Sequence, residues 1–181
     1  MTGPPPPVLV VIVGAIASGK STLAAEVGRR LRERGEPVAV VGLDAVAEMA
    51  LPTQDWSSIH EVHGQLVRAW LSTPVHTVVA EGPSTSADLD QLMRCVSGDV
   101  EVLTVVLTTP YATALKRALQ EPDRGLSKDP VFLRADHDRF ESSRRHLRCD
   151  LTLDRAVADP PTLAEQVLHS LDSRRHSNHK A

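Results

Sequence analysis

The chain has 181 residues, of which 41% are hydrophobic and 24% are charged, proportions typical of one soluble globular domain. A formal charge of −3 argues against a protein that binds nucleic acid through a global positive field. Two cysteines are too few for a disulfide framework, and no apolar run reaches the roughly 18 residues that a membrane span needs. With no secretory signal pattern at its start, the sequence predicts a cytoplasmic protein without a membrane anchor.

Short apolar runs alternate with helix-length segments along the chain. Strands are predicted in chain order over residues 8–13, 37–41, 75–80, 100–107 and 151–153. Helices are predicted over residues 21–34, 87–96, 111–119, 130–147 and 162–171, and the long segment 45–74 is also mostly helical. Strands separated by helices of this length form βαβ units with right-handed crossovers. The pattern therefore predicts an α/β fold of three layers, with a five-stranded parallel sheet flanked by helices.

The predicted domain covers residues 8–172, and both ends of the chain lie outside it. Residues 1–7 include four consecutive prolines, which favour an extended stub. The tail, 173–181, offers nothing apolar to bury, so we expect it to be disordered.

Residues 14–21 carry the strongest motif in the chain, Gly-Ala-Ile-Ala-Ser-Gly-Lys-Ser. Its spacing, G-x-x-x-x-G-K-S, and its place between a buried strand and a helix are typical of a phosphate-binding loop. Glycines let successive backbone N–H groups point at an anion, and the start of the helix adds unpaired donors. The residues predicted to contact the nucleotide are Gly14, Ala17, Ser18, Gly19, Lys20, Ser21 and Thr22.

Three side chains of this loop have distinct predicted roles. The Lys20 ammonium can reach the β- and γ-phosphates, and the Ser21 hydroxyl can bind Mg²⁺. Thr22 can cap the helix or contact the α-phosphate. The motif therefore predicts a site for a nucleoside triphosphate with Mg²⁺.

The rest of the chain narrows the class of P-loop protein. GTPases usually recognise guanine with an Asn-Lys-x-Asp loop, and the only asparagine here is Asn178. Large mechanical or ring ATPases usually need a longer chain for their sensors and interfaces. The size favours a small-molecule kinase.

The arrangement resembles the shikimate-kinase-like group of small P-loop kinases, and within it the chloramphenicol phosphotransferase-like proteins, over about residues 8–172. Beyond the loop the matches are positional: an acid after the second strand, an acid ending the third, an arginine-bearing lid after the fourth, and a short last strand. Met49 and Pro52 follow Asp44 at a spacing similar to that in chloramphenicol phosphotransferase. The resemblance implies ATP and Mg²⁺ as cofactors and a hydroxylated small molecule as acceptor.

Two acidic residues are predicted at the carboxyl edge of the sheet, where parallel α/β proteins bind ligands. In the kinases that the chain resembles, an acid at the position of Asp44 holds the acceptor hydroxyl and takes its proton. The alternative is an N-cap for a helix beginning at Ala45. Glu81 resembles a Walker-B-type acid that could bind the metal, a Mg²⁺-bound water or a substrate group. Since the usual residue there is aspartate, a rim carboxylate without a role also stays open.

A lid is predicted over residues 120–135, in the most basic part of the chain. In shikimate-kinase-like proteins, an arginine at the position of Arg117 stacks on adenine, and one at the position of Arg124 closes over the transferring phosphate. A guanidinium suits both tasks because it is planar and binds phosphate oxygens through two N–H groups. The alternatives are a surface helix arginine for Arg117 and a turn arginine for Arg124, and Lys128 and Arg134 are weaker candidates.

Other side chains carry weaker functional signals. The loop 154–161 corresponds to the adenine-embracing loop of the group, with no single residue predicted to contact the base. Residues 136–138, Asp-His-Asp, are predicted to lie on a solvated helix face. His60 and His63 share one helix but have no evident third ligand, so a zinc site is not favoured.

The segment 45–74 corresponds to the part of these kinases that covers the acceptor. Four of its apolar residues recur at helical spacing and predict its buried stripe: Ile59, Val62, Leu66 and Trp70. We expect Trp56 and Trp70 to pack in the core, with a role as walls of an apolar acceptor pocket as the alternative.

These predictions combine into one activity, transfer of the γ-phosphoryl group of MgATP to a hydroxyl of a small molecule. The predicted catalytic residues are Lys20, Asp44 and Arg124, and the predicted state is a monomer or homodimer. Two alternatives stay open: a nucleoside or polynucleotide 5′-hydroxyl kinase, and a non-catalytic module gated by ATP. Mild acidity and an aromatic content of 3% argue against a long nucleic-acid track.

Overall fold

The computed structural model describes residues 6–50, 55–121 and 125–178. Five strands are present there: β1 (Val8–Val13), β2 (Val38–Gly42), β3 (Thr77–Glu81), β4 (Glu101–Thr108) and β5 (Leu151–Asp154). The α-helices are α1 (Lys20–Glu33), α2 (Leu43–Glu48), α3 (Trp56–Leu71), α4 (Ser86–Cys95), α5 (Tyr111–Gln120), α6 (Pro130–Arg144) and α7 (Pro160–Asn178). A short 3-10 helix spans Gly125–Lys128.

The strands form one sheet in the order β2-β3-β1-β4-β5, and every neighbouring pair is parallel. β1 lies at the centre, where Val10 pairs with Val79 of β3 and Leu103 of β4. All six residues of β1 are buried, as expected for a strand that helices cover on both faces. The predicted five-stranded parallel sheet is confirmed.

Apolar cores fill both faces of the sheet. One core contains Leu23 and Val27 of α1 with Leu168 of α7. The other contains Ile59 and Val67 of α3, together with residues of α2 and α4. The molecule therefore has three layers, with the loop between β1 and α1 at the carboxyl edge of the sheet.

Helix α7 corrects the prediction of a disordered tail from residue 173, because the helix continues to Asn178. Its arginines hold it against the rest of the fold. Arg174 donates to the carbonyl oxygen of Val102 at 2.8 Å, and Arg175 forms an ion pair with Glu36 at 2.8 Å. Although α7 has 19 residues, none of the helices in the described ranges is long and apolar enough to cross a membrane.

Helix α3 corrects the predicted buried stripe of segment 45–74. Val62 and Trp70 are 52% and 41% exposed, and Trp56 is 49% exposed, so the expectation of core tryptophans is wrong. The buried residues of α3 are Ile59, His63, Gly64 and Val67. Gly64 explains the shift, because a Cβ there would lie 2.6 Å from Cys95 Sγ. Helix α4 approaches α3 along this glycine and covers that face.

Candidate active site

The phosphate-binding loop joins β1 to α1 at the carboxyl edge of the sheet. Ala17 and Gly19 have φ angles of 59° and 101°, and such alternation turns successive amides toward one side of a loop. Gly14 is required for a different reason, since a Cβ there would lie 2.6 Å from the carbonyl oxygen of Leu107. Its own N–H donates to the Pro83 carbonyl at 3.1 Å, so this amide serves the fold and not an anion.

The start of α1 leaves polar groups facing the loop. Its N-cap is Gly19, with no side-chain cap, and a helix start presents N–H groups that lack intrahelical acceptors. Ser18 Oγ is buried and has no hydrogen-bond partner among the described residues. Buried hydroxyls are rarely left unsatisfied. Both features fit a loop that is completed by an anionic ligand.

Lys20 points back over the loop. The residue is 9% exposed, and its Nζ donates to the carbonyl oxygens of Gly14 at 2.8 Å and Ala15 at 3.0 Å. The ammonium is therefore held at the loop by the backbone itself, which fits the predicted place of a phosphate-binding lysine.

Glu81 ends β3 beside this loop and is 4% exposed. Burial raises the pKa of its carboxyl, and the negative charge of Asp44 acts in the same direction. The ammonium of Lys20 and a hydrogen bond from Ser21 oppose that rise in pKa. Gly42 makes room for the carboxylate, because a Cβ at Gly42 would lie 2.7 Å from Glu81 Oε1. The fold thus brings the two predicted metal-binding residues, Ser21 and Glu81, together.

Asp44 lies next to this group in the first turn of α2 and is exposed. The alternative prediction, an N-cap for a helix beginning at Ala45, is wrong because α2 begins at Leu43 and its N-cap is Gly42. Asp44 is close enough to Glu81 to affect its pKa, so the two predicted acids share one side of the loop.

Two arginines flank the loop at Gly19. A Cβ on Gly19 would lie 3.8 Å from Arg117 Nη1 and 3.9 Å from Arg155 Cγ. Arg117 was predicted near the nucleotide, whereas Arg155 was not singled out. Arg155 is fixed by its Nη1, which donates to the Ala158 carbonyl at 2.7 Å, and by its N–H, which donates to Thr108. Only its place after the last strand, in the loop 154–161, indicated it in the sequence.

Two residues of the predicted site cannot be placed, and one of the weaker lid candidates packs against an aromatic ring. Arg124, predicted to close over the phosphate, and Pro52, part of the family spacing, lie outside the described residues. Arg134 stacks over the ring of Tyr111, with its Cζ 4.4 Å from the ring centroid. Arg134 therefore faces the α5–α6 contact.

The prediction that residues 136–138 form a solvated face is wrong for its first two members. Asp136 and His137 are 4% and 5% exposed and contact the backbone of Ile16 in the phosphate-binding loop. The signal was present in the sequence: together with Leu133 and Phe140, they form the buried stripe of α6 at helical spacing.

His63 is buried at 1% exposure, with Nε2 lying 3.2 Å from the Val41 carbonyl oxygen. Burial lowers the pKa of this histidine. Within the described part of the chain, no group of three or more His, Cys, Asp or Glu side chains could hold a metal ion. His63 links α3 to the end of β2.

The sequence matches a family described as an AAA domain over residues 9–147, from β1 to just beyond α6. No curated protein matches the chain by sequence.

Solved structures share its architecture over nearly its whole length. APS kinase from Mycobacterium tuberculosis, in complex with AMPPNP and APS, is 20% identical with a TM-score of 0.70, covering 93% of this chain and 99% of that one. Shikimate kinase from Acinetobacter baumannii, in complex with shikimate, is 17% identical with a TM-score of 0.63, covering 92% and 93%. A gluconokinase from Sinorhizobium meliloti 1021 is 16% identical with a TM-score of 0.64, covering 96% of both. The resemblance to small P-loop kinases is thereby confirmed for the fold, and the finer likeness to chloramphenicol phosphotransferases stays a prediction.

Proposed function

Because the chain belongs to the AAA domain family and has the fold of small P-loop kinases, we propose that it transfers the γ-phosphoryl group of MgATP to a hydroxyl of a small molecule. The observation that carries this proposal is the group of polar side chains at the carboxyl edge of the sheet. Lys20, Ser21 and Asp44 each interact there with Glu81. The loop beside them contains the buried Ser18 hydroxyl, which has no hydrogen-bond partner within the described part of the chain.

The residues present fit a nucleotide with its metal. The loop backbone from Ala17 to Gly19 and the start of α1 would hold the phosphates. Ser21 and Glu81 would hold Mg²⁺ directly or through water, since Mg²⁺ at kinase sites takes few protein ligands. When bound, the metal offsets negative charge on the phosphates.

Asp44 is the residue proposed to bind and deprotonate the acceptor hydroxyl. Asp44 is exposed and lies near Glu81, and the negative charge of Asp44 contributes to the raised pKa of Glu81. An aspartate there can accept the hydrogen bond of an acceptor hydroxyl, orient its oxygen, and take its proton. Orientation matters most, because phosphoryl transfer needs attacking and leaving oxygens in line.

The nucleotide base is assigned to the two arginines beside Gly19. The Arg117 and Arg155 side chains both lie within about 4 Å of that position, and a guanidinium plane stacks well on an aromatic base. Arg124 remains the proposed lid residue over the transferring phosphate, with a charge that matters most as negative charge develops.

The experiment is a screen of ADP release with MgATP and a panel of acceptors. The panel contains small polyols, hydroxylated metabolites, nucleosides and single-stranded oligonucleotides with free 5′-hydroxyls. We expect at least one small hydroxylated compound to stimulate ADP release well above the rate without acceptor, and Lys20→Ala to abolish that stimulation.

Each other result assigns a different function. Stimulation by oligonucleotides alone would indicate the 5′-hydroxyl kinase alternative. ATP binding without any acceptor-dependent turnover across the panel would contradict the kinase proposal and favour a module gated by ATP.

A further inference from the structure

Helix α6 holds a residue of the phosphate-binding loop by both of its backbone polar groups. The Ile16 N–H donates to Asp136 Oδ2 at 2.7 Å. The Ile16 carbonyl oxygen lies 3.1 Å from His137 Nε2, and because a carbonyl can only accept, Nε2 carries the hydrogen. These contacts join parts of the chain that are 120 residues apart.

Both side chains are polar and buried, and burial of a polar group costs free energy unless it is hydrogen-bonded. Asp136 and His137 are 4% and 5% exposed, and an acid is rarely buried to this extent unless it is paired or hydrogen-bonded. Arg139 Nη2 lies 3.3 Å from the second oxygen of Asp136 and partly offsets its charge. The arrangement therefore secures Ile16 next to Ala17, whose φ is 59°.

Apolar packing makes the same connection between the loop and the helix pair α5–α6. Ala17 of the loop belongs to a small buried cluster with Ala114, Ala118 and Leu133, against which Ile16, Tyr111 and Leu115 also pack. The ring of Tyr111 meets the ring of His137 edge to face, with centroids 5.7 Å apart. The Tyr111 hydroxyl donates to the Pro130 carbonyl at 3.0 Å. Helices α5 and α6 thus bind each other and the loop as one unit.

We propose that Asp136 and His137 are positioning residues, which hold the phosphate-binding loop in its nucleotide-binding conformation and couple it to the helix pair α5–α6. The inference rests on the proposed function, because it assumes that the loop binds a nucleotide. It adds a link through which occupation of the loop and placement of α5–α6 influence each other.

The size of the effect follows from the population of the competent loop. If only a fraction of molecules has the loop in its binding conformation, the apparent dissociation constant rises by the inverse of that fraction. A hydrogen bond to a charged group is among the stronger ones in proteins. We expect removal of the hydrogen bond to Ile16 to weaken nucleotide binding about tenfold. A tenfold change in a dissociation constant corresponds to about 1.4 kcal/mol, which is within the range for such a bond.

Isothermal titration calorimetry with Mg²⁺ and a non-hydrolysable ATP analogue tests this without an acceptor. The disrupting variants are Asp136→Ala and His137→Ala. The conservative variants are Asp136→Asn, which keeps an acceptor for the Ile16 N–H, and His137→Gln, which keeps a donor. Asp138→Ala is the matched control, because Asp138 is an exposed acid on the same helix.

We expect the two alanine variants at positions 136 and 137 to bind about tenfold more weakly than the wild type at full stoichiometry. The conservative variants and Asp138→Ala should stay within about threefold of the wild type. A variant that is merely less stable would instead lower the bound stoichiometry and leave the dissociation constant of the folded fraction unchanged. If Asp136→Ala does not fold, the pair His137→Ala and His137→Gln decides by the same criterion.

The outcomes separate this inference from the proposed function. Suppose that the wild type binds the analogue and that His137→Ala, Asp136→Ala and Asp138→Ala all bind it with equal affinity. That result would overturn the positioning role and leave the kinase proposal intact. The expected affinities together with an acceptor screen that finds no turnover would keep the positioning role and overturn the kinase proposal. No binding by folded wild-type protein would overturn both.

Discussion

The carboxyl group of Glu81 is held between charges of opposite sign. Burial raises its pKa and the charge of Asp44 adds to this, while Lys20 and Ser21 act against it. Because the folded state binds this proton more tightly than the unfolded state, protonation of Glu81 adds to the free energy of unfolding. This contribution is fully present at low pH. That contribution is lost as the pH rises from the ordinary pKa of 4.5 through the raised value.

Glu81→Gln should remove this pH dependence. We expect the free energy of unfolding of the wild type to fall, relative to that of Glu81→Gln, as the pH rises above about 4.5. Urea unfolding of both proteins between about pH 4 and 8 measures it, with exposed Glu48→Gln as a control. Parallel curves for the wild type and Glu81→Gln would show that the fold does not perturb this carboxyl.

Asp44→Asn separates orientation and proton transfer from nucleotide binding. Asparagine has the same size but cannot take a proton, so we expect kcat to fall by about 100-fold or more with an acceptor identified in the screen. The affinity for MgATP should change by less than about threefold, because Asp44 is proposed to contact the acceptor and not the nucleotide. Glu48→Gln, also on α2, is the control for a lost negative charge. Near-normal turnover in Asp44→Asn would remove the residue from the mechanism.

At the residue scale, sequence alone could predict what the loop motif dictates and little of what distant contacts decide. The spacing of Gly14, Gly19 and Lys20 is a local property, and the loop is where it was expected. The burial of Asp136 and His137 depends on Ile16, 120 residues away, and a polar pair with such a distant partner looks like a solvated one in the sequence. The proximity of Arg155 to Gly19 also arises only when β5 joins the sheet beside β4.

At the scale of elements, the succession of strands and helices along the chain follows from alternating periodicity, whereas the buried faces of the helices do not always follow from it. Helix α3 shows why. Its apolar pattern pointed to Val62 and Trp70, but the close approach of α4 at Gly64 selected a neighbouring face. A glycine contact between helices leaves no hydrophobic signature in a sequence.

Gly64→Ala tests this packing. Alanine is favoured over glycine within a helix by about 1 kcal/mol, but overpacking a core costs about 1–3 kcal/mol. Since the new Cβ would lie 2.6 Å from Cys95 Sγ, we expect a net loss of stability in urea unfolding. The same change in a Cys95→Ala background, which lacks that sulfur, should cost at least about 1 kcal/mol less. Equal costs in both backgrounds would show that α4 does not constrain α3 at this point.

At the scale of the whole molecule, the fold joins the parallel sheet to a smaller unit, helices α5 and α6, which packs against the phosphate-binding loop. The sheet places Lys20, Glu81 and Asp44 at one edge. Helices α5 and α6 pack against the same loop through Ala17 and Ile16. If the loop binds a nucleotide as proposed, α5 and α6 are therefore placed to respond to its binding.

Calorimetry with MgATP tests the central claim, that this loop binds a triphosphate. We expect one MgATP to bind per chain in the wild type. Lys20→Ala, which removes the ammonium held at the Gly14 and Ala15 carbonyls, should weaken binding by at least about 30-fold, as expected for loss of a charged phosphate contact. Lys116→Ala, at an exposed lysine, should leave it unchanged. Folded wild-type protein that takes up no MgATP, or Lys20→Ala that binds as tightly as the wild type, would contradict the account.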